Sequence, residues 1–391
     1  MIRQQTPIDP DSWAQRGIEG VPIERADALA LLDPERTPLL PLVHAAGVVR
    51  RARFGNRVRV HVLNNVQNGA CPEDCGYCGQ AKTSDAPIKA YTLKSREEII
   101  DEAAQAKASG AFRYCMVLSG RGPDDDDIEH MAHCIREVKE RFGIETCLSS
   151  GLLDEQKAQR LKDAGLDRLN HNLNTSRERY PDICTTHTYQ DRLDTLRAAR
   201  SAGLQLCSGL IVGMGESQHD LVDLAFELES LRTESIPVNF LVPIMGNRIG
   251  ESPTSCGKPL SPELCVRVLC LFRLANPRAE VRVAAGREGH LRSLQTLAME
   301  PANSLFVDGY LLTHGAGPIP TLRMLRDGGF EIELAGAGWD AWNERLRSVL
   351  DSGELDVFHV DSIRPAETGV LKEDRLSERK LAKLRIEREP I

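Results

Sequence analysis

Three cysteines, Cys71, Cys75 and Cys78, fall within eight residues of the run Ala70-Cys71-Pro72-Glu73-Asp74-Cys75-Gly76-Tyr77-Cys78-Gly79-Gln80. A short loop with C-x3-C-x2-C spacing can wrap three thiolates around one face of an iron–sulfur cube, leaving the fourth iron without a protein ligand. An open position on a metal can take a substrate. Tyr77, just before the last cysteine, could set an aromatic face beside such a ligand. A structural zinc site fits less well, because zinc closes with four ligands and no fourth Cys or His lies near this loop in the sequence. A disulfide framework belongs to short secreted chains, whereas this one has 391 residues and an odd eleven cysteines.

A second set of thiols, Cys115, Cys147 and Cys207, falls on three separate predicted strands. Alternate side chains of a barrel strand point inward, so the three could meet at one interior point and hold a second metal centre. Taken singly, each could equally be a small buried hydrophobe. Cys134, Cys184, Cys256, Cys265 and Cys270 fall on predicted helices or loops and read as packing residues.

The elements that must position these thiols follow from hydrophobic period. Residues 1 to about 26 are polar and punctuated by proline, a flexible lead, and helices are expected near 27–33 and 40–51. The apolar-rich segment 58–66 delivers the cysteine loop. Strands then alternate with amphipathic helices: strands at 112–118, 144–148, 168–173, 204–212, 236–242, 281–285 and 304–307, with helices between them. Ser95 with Glu98 makes a capping box, and Gly110 stops the helix it begins. The rhythm predicts parallel βα units, and eight strands fit a closed α/β (β/α)8 barrel, with an open partial barrel as the alternative. The expected divisions are an N-terminal lead with helices (1–44), the barrel (45–332) and a C-terminal extension (333–391) with a helix at 337–354. The last stretch, 371–391, alternates acid and base and reads as a solvated helix or disordered tail.

Composition narrows the function classes. With 41% hydrophobic residues the chain can bury a large core, and a net charge of −8 without a basic run argues against nucleic acid as a partner. No run of about 18 apolar residues predicts a membrane span, and the N-terminus lacks the apolar stretch of a signal peptide. A cytoplasmic setting, where the thiols stay reduced, is therefore expected.

The cysteine loop resembles the signature of radical S-adenosylmethionine (SAM) enzymes. ACPEDCGYCGQ, YCMVLSGRG, NHNLNTS, TTHTYQDRLDTL, CSGLIVGMGE, IPVNFLV, AAGRE and ANSLFVDGYLLT resemble, in order, segments of the biotin synthase family over roughly 45–332. The resemblance implies a sulfurtransferase that converts dethiobiotin to biotin. Its cofactors would be SAM, a [4Fe–4S] cluster on Cys71, Cys75 and Cys78, and a [2Fe–2S] cluster on Cys115, Cys147, Cys207 and Arg287. Arginine is a poor ligand, and chemistry alone would pair Arg287 with a carboxylate. The place of AAGRE at the end of a predicted strand favours the family role. Tyr77, Ser119, Asn172, Asn174 and Arg192 match positions that contact SAM, with the turn 213–216 near the adenine. Asn170, Asn239 and Thr313 match positions that hold dethiobiotin. Asn174 stands where many relatives carry aspartate, and His314 where they often carry threonine. The family also implies a homodimer and a flavodoxin or ferredoxin as electron donor. Alternatives are another radical SAM enzyme of the hydrogenase-maturase or thiamine-pathway kind, or a non-catalytic zinc or iron–sulfur protein.

Overall fold

The computed structural model describes residues 9–69, 71–249, 260–307 and 318–333. Thr313, His314, Cys256 and the expected helix and tail beyond 333 lie outside them.

Helices α1 (Pro10–Glu19), α2 (Arg25–Leu32) and α3 (Leu39–Phe54) precede the first strand. The lead is therefore not all flexible. Asp9 caps α1 through bonds from the Asp11 and Ser12 amides, Pro10 takes the first helical position, and Trp13 is buried. Helices α1 and α3 pack on each other, and all three pack on a later barrel helix, α10 (Pro262–Ala275). Arg267 of α10 donates to Leu31 O and Thr37 O, each at 2.8 Å, and fixes that seam.

The strands are β1 (Arg57–Asn65), β2 (Arg113–Val117), β3 (Glu145–Ser149), β4 (Arg168–Asn170), β5 (Gln205–Cys207), β6 (Leu210–Val212), β7 (Ser235–Phe240), β8 (Glu280–Val283) and β9 (Ser304–Phe306). All pair in parallel, and β9 closes on β1. The expected strand over 204–212 is split into β5 and β6. The two keep one register against β7, so they act as a single stave, and the ring has the eight staves expected. The cause of the split is a close approach. A Cβ on Gly209 would lie 1.9 Å from Pro237 O, so only glycine lets the chain pass.

Outside the ring come α4 (Arg96–Ala108), α5 (Asp125–Phe142), α6 (Glu155–Asp163), the short α7 (Tyr180–Ile183), α8 (Tyr189–Ser201) and α9 (Gln218–Ser230). Capping boxes begin α4 at Ser95, α5 at Asp124, α8 at Thr188 and α9 at Ser217, which fixes where each helix starts and so how long each loop above the barrel is. Short turns α11 (Arg287–Leu291) and α12 (Gln295–Ala298) follow β8, and α13 (Pro318–Asp327) precedes β10 (Glu331–Glu333). Neither α13 nor β10 was expected. β10 lies beside the start of β1, where Glu333 takes both Arg59 Nε and Nη2 at 3.0 Å.

Candidate active site

Inward-facing residues stack in layers up the barrel because strand side chains alternate. At the lower end Glu280 of β8 is buried and receives Arg113 at 3.1 Å, Arg59 at 3.2 Å, Arg168 at 3.3 Å, Arg282 at 2.5 Å and Ser235 Oγ at 3.2 Å. Burial would raise its carboxyl, but Arg113, Arg282 and Arg168 outweigh that and hold it well below the usual range. His61 Nε2 lies 3.2 Å from the same carboxylate, and burial together with Arg282 holds the ring well below its ordinary value, so it is neutral at pH 7.

One layer up, Cys115 and Cys147 sit side by side in the β2–β3 register and meet Cys207, Ala284 and Phe306 in one buried cluster. The Cys207 thiol is drawn well below its ordinary value, first by a bond from Cys147 and also by Arg282. Arg282 Nη1 lies 3.7 Å from Cys207 Sγ, and the guanidinium sits 5.1 Å from the centre of the Phe306 ring. The arginine of this group is thus Arg282 and not Arg287. Arg282 faces inward two residues after Glu280, whereas Arg287 follows the left-handed Gly286 and opens α11. There its guanidinium is spent on Gln295 at 2.8 Å, Glu288 at 2.6 Å and Thr321 at 3.1 Å.

Above this layer the barrel opens into a cavity of about 260 Å³. It is lined by Cys71, Cys75, Cys78 and Tyr77 of the cysteine loop, by Ser119, Asn172, Asn174 and Arg192, and by Asn170 and Asn239. Asn170, Val117 and Ser149 also line a smaller space of about 20 Å³ that holds Cys115, Cys147 and Arg282. Asn170 Nδ2 lies 3.2 Å from Cys207 Sγ, so one side chain touches both levels. Asn239 accepts from the Ala285 amide at 3.1 Å and donates to Leu210 O at 2.9 Å. Asn172 Oδ1 takes the Gly209 amide at 3.1 Å. Asn174, at a φ of 69°, donates to Tyr77 OH at 2.6 Å and fixes the ring against the cavity wall. Ser119 Oγ donates to Gly69 O at 2.7 Å. The turn 213–216 does not line the cavity. Glu216 spends its carboxylate on the Gly213 amide at 2.6 Å and the Met214 amide at 2.8 Å.

The cysteine loop is docked by a segment far away in sequence. Asp74 accepts from the Thr185 amide at 2.9 Å and the Thr186 amide at 3.2 Å, and Glu73 takes His187 Nδ1 at 2.5 Å. His187 Nε2 lies 2.8 Å from Arg192 Nη2, and Arg192 Nη1 donates to Asn172 O at 2.8 Å. Glu73, His187 and Arg192 thus form a chain from the loop to the Asn172 carbonyl. Cys184, expected as a packing residue, is buried, with its Sγ 3.7 Å from Cys75 Sγ. Sequence reasoning also missed Glu73, Asp74, His187 and Arg282. The first two stand inside the cysteine run, but nothing local marks their partners.

Residues 67–228 match the radical SAM superfamily, and residues 237–331 match the Biotin and Thiamin Synthesis associated domain. The chain is 58% identical over 308 residues to the biotin synthase of Acaryochloris marina, covering 79% of this chain and 88% of that one. It is 51% identical to the biotin synthase of Leptospira biflexa, covering 83% and 91% of the two chains, and 43% identical to that of Bacillus cytotoxicus, covering 85% and 99%. Among solved structures, methylornithine synthase shares the fold with a TM-score of 0.71 at 20% identity, over 85% of this chain and 99% of that one. The [FeFe]-hydrogenase maturase of Carboxydothermus hydrogenoformans does so with a TM-score of 0.69 at 17% identity, over 87% and 82%. These two likenesses concern the fold alone.

Proposed function

The chain belongs to the biotin synthase family, and from that premise we propose how its own residues divide the work. It is a radical SAM sulfurtransferase that converts dethiobiotin to biotin. One observation carries the division: Asn170 lines both the large cavity and the small space at Cys115 and Cys147, and its Nδ2 lies 3.2 Å from Cys207 Sγ.

The donor sets fit the groups this chemistry needs. Cys71, Cys75 and Cys78 supply three thiols to the cavity wall and would hold a [4Fe–4S] cluster with one iron open. Cys115, Cys147 and Cys207 supply three more, and Arg282 replaces Arg287 as the fourth member of a [2Fe–2S] site. Arg282 Nε is buried without a hydrogen-bond partner among the described residues, as expected of a side chain aimed at a missing group. When bound, the clusters and SAM supply reductive SAM cleavage at the upper site and sulfur for transfer at the lower one.

The remaining tasks fall to the chain. Arg192 would present its guanidinium to the SAM carboxylate, aimed by His187 and the Asn172 carbonyl. Ser119, Asn172, Asn174 and Tyr77 would shape the rest of the SAM site. Asn170 and Asn239 would hold the dethiobiotin ureido ring from below, where an amide offers both a donor and an acceptor. Thr313 would meet the carboxylate end. Apolar walls from Val117, Leu118, Leu152, Phe240 and Leu241 keep water from the reacting carbon. Among the described residues all ten cysteines are free thiols, which accords with a reducing cytoplasm. No helix among the described residues is long and apolar enough to cross a membrane. A homodimer and a flavodoxin or ferredoxin donor complete the reading. An anaerobic assay tests it: 5′-deoxyadenosine and biotin should form together, and only when SAM, dethiobiotin and a reductant are all present.

A further inference from the structure

We propose that, before the first cluster is installed, Cys75, Cys184 and His187 bind one zinc ion, with Glu73 as the fourth ligand. The first three offer ligand atoms that all lie within 4.8 Å of one another, and all three residues are buried. Two of their separations already approximate edges of a zinc tetrahedron. Zinc–sulfur and zinc–nitrogen bonds of ordinary length give S···S edges of about 3.8 Å and S···N edges of about 3.5 Å. Cys75 Sγ and Cys184 Sγ lie 3.7 Å apart, and Cys184 Sγ lies 3.3 Å from His187 Nδ1.

The surroundings supply the rest. Glu73 Oε2 lies 2.5 Å from His187 Nδ1, and its carboxylate would turn towards the ion to take the fourth corner. Tyr180 OH lies 2.8 Å from His187 Nε2, and a histidine that binds metal through one nitrogen is normally held through the other. Binding requires no oxidant. The two thiol protons pass to water, the ring proton moves from Nδ1 to Nε2, Tyr180 OH accepts it there, and Nε2 gives up the bond it takes from Arg192 Nη2. Cys184 Sγ gives up its contact with Asp74 Oδ1, now 3.2 Å.

The consequence follows from Cys75, which cannot serve two centres. Zinc held here would delay assembly on Cys71, Cys75 and Cys78. That consequence rests on the cluster assignment proposed above, but the zinc site itself rests only on the ligand geometry. Metal binding and cluster assembly can therefore fail separately.

The test uses the full chain, stripped of metal by a chelator without air. Titration with Co²⁺ as a coloured stand-in should give one ion per chain, with tetrahedral d–d bands and a thiolate charge-transfer band, displaced by Zn²⁺. Cys184→Ala and His187→Ala should each weaken binding at least ~10-fold, while Cys71→Ala and Cys78→Ala should bind as the parent does. Cys184→Ser, with circular dichroism compared to the parent, guards against misfolding and should lose the ion as Cys184→Ala does. No bound ion, or a signal that survives loss of Cys184 but not of Cys71 or Cys78, overturns the proposal. In a second arm, one equivalent of zinc during iron and sulfide reconstitution should lower iron uptake in the parent more than in Cys184→Ala. Equal uptake would overturn the competition.

Discussion

Arg282 Nη1 lies 3.7 Å from Cys207 Sγ inside the barrel, while its Nη2 is held 2.5 Å from the Glu280 carboxylate. One guanidinium thus joins the buried thiols to the charge that compensates it. Arg287, five positions later, faces Gln295 and Thr321 instead.

The two arginines should therefore separate in experiment. Arg282→Lys keeps the positive charge beside Glu280 but loses the planar fork. After reconstitution we expect it to show altered visible and Mössbauer signals from the lower site, with the upper cluster unchanged. Arg287→Met should leave both sets of signals as in the parent. The reverse pattern would return the role to Arg287.

Cys71, Cys75 and Cys78 should each be indispensable for SAM cleavage. Replacing any one by alanine should abolish 5′-deoxyadenosine formation in a reduced, reconstituted sample, measured by chromatography. Cleavage at the parent rate in any of the three would contradict the assignment.

Glu280→Gln should cost roughly 3–5 kcal/mol of stability at neutral pH, because it leaves several buried cations short of a partner. The sign with pH is fixed. The folded carboxyl lies below its unfolded value, so its contribution is fully present above that value and is lost as pH falls towards the folded one. Urea midpoints of parent and variant should therefore keep a constant gap from about pH 6 to 8, and the gap should narrow below about pH 4. A gap that widened on acidification would contradict this placement of charge.

Asn239→Ala should weaken dethiobiotin binding by ~0.5–1.5 kcal/mol and leave SAM binding near normal. It also removes the side-chain bonds to the Ala285 amide and the Leu210 carbonyl, so the melting temperature should fall as well. Calorimetric titration of each ligand on the folded variant separates the two effects, and an unchanged dethiobiotin affinity would remove Asn239 from the substrate site.

The barrel was legible because parallel strands and amphipathic helices leave different periods in the sequence, and the number of staves followed from them. The break at Gly209 was not, since it depends on how near Pro237 comes from the neighbouring strand. Helix α1 had a readable signal in Asp9 and Pro10, overridden by the polar composition around it. The choice between Arg282 and Arg287 was open to strand alternation: Glu280 and Arg282 share one face of β8, and residues beyond Gly286 cannot. Cys184 and His187 stand more than a hundred positions from the cysteine loop, and long-range contacts such as those of Asp74 with Thr185 and Thr186 and of Glu73 with His187 bring them to it. No local pattern encodes such a meeting.

Transfer of sulfur from the deep cysteine site is the central claim, and an isotope tests it most directly. The clusters are rebuilt with labelled sulfide, excess is removed, and one turnover is run without air in unlabelled sulfide with SAM, dethiobiotin and reductant. We expect labelled biotin, about one per chain, with iron lost from the Cys115, Cys147 and Cys207 site and retained at the upper one. Unlabelled biotin formed over many turnovers, with both sites intact, would contradict it.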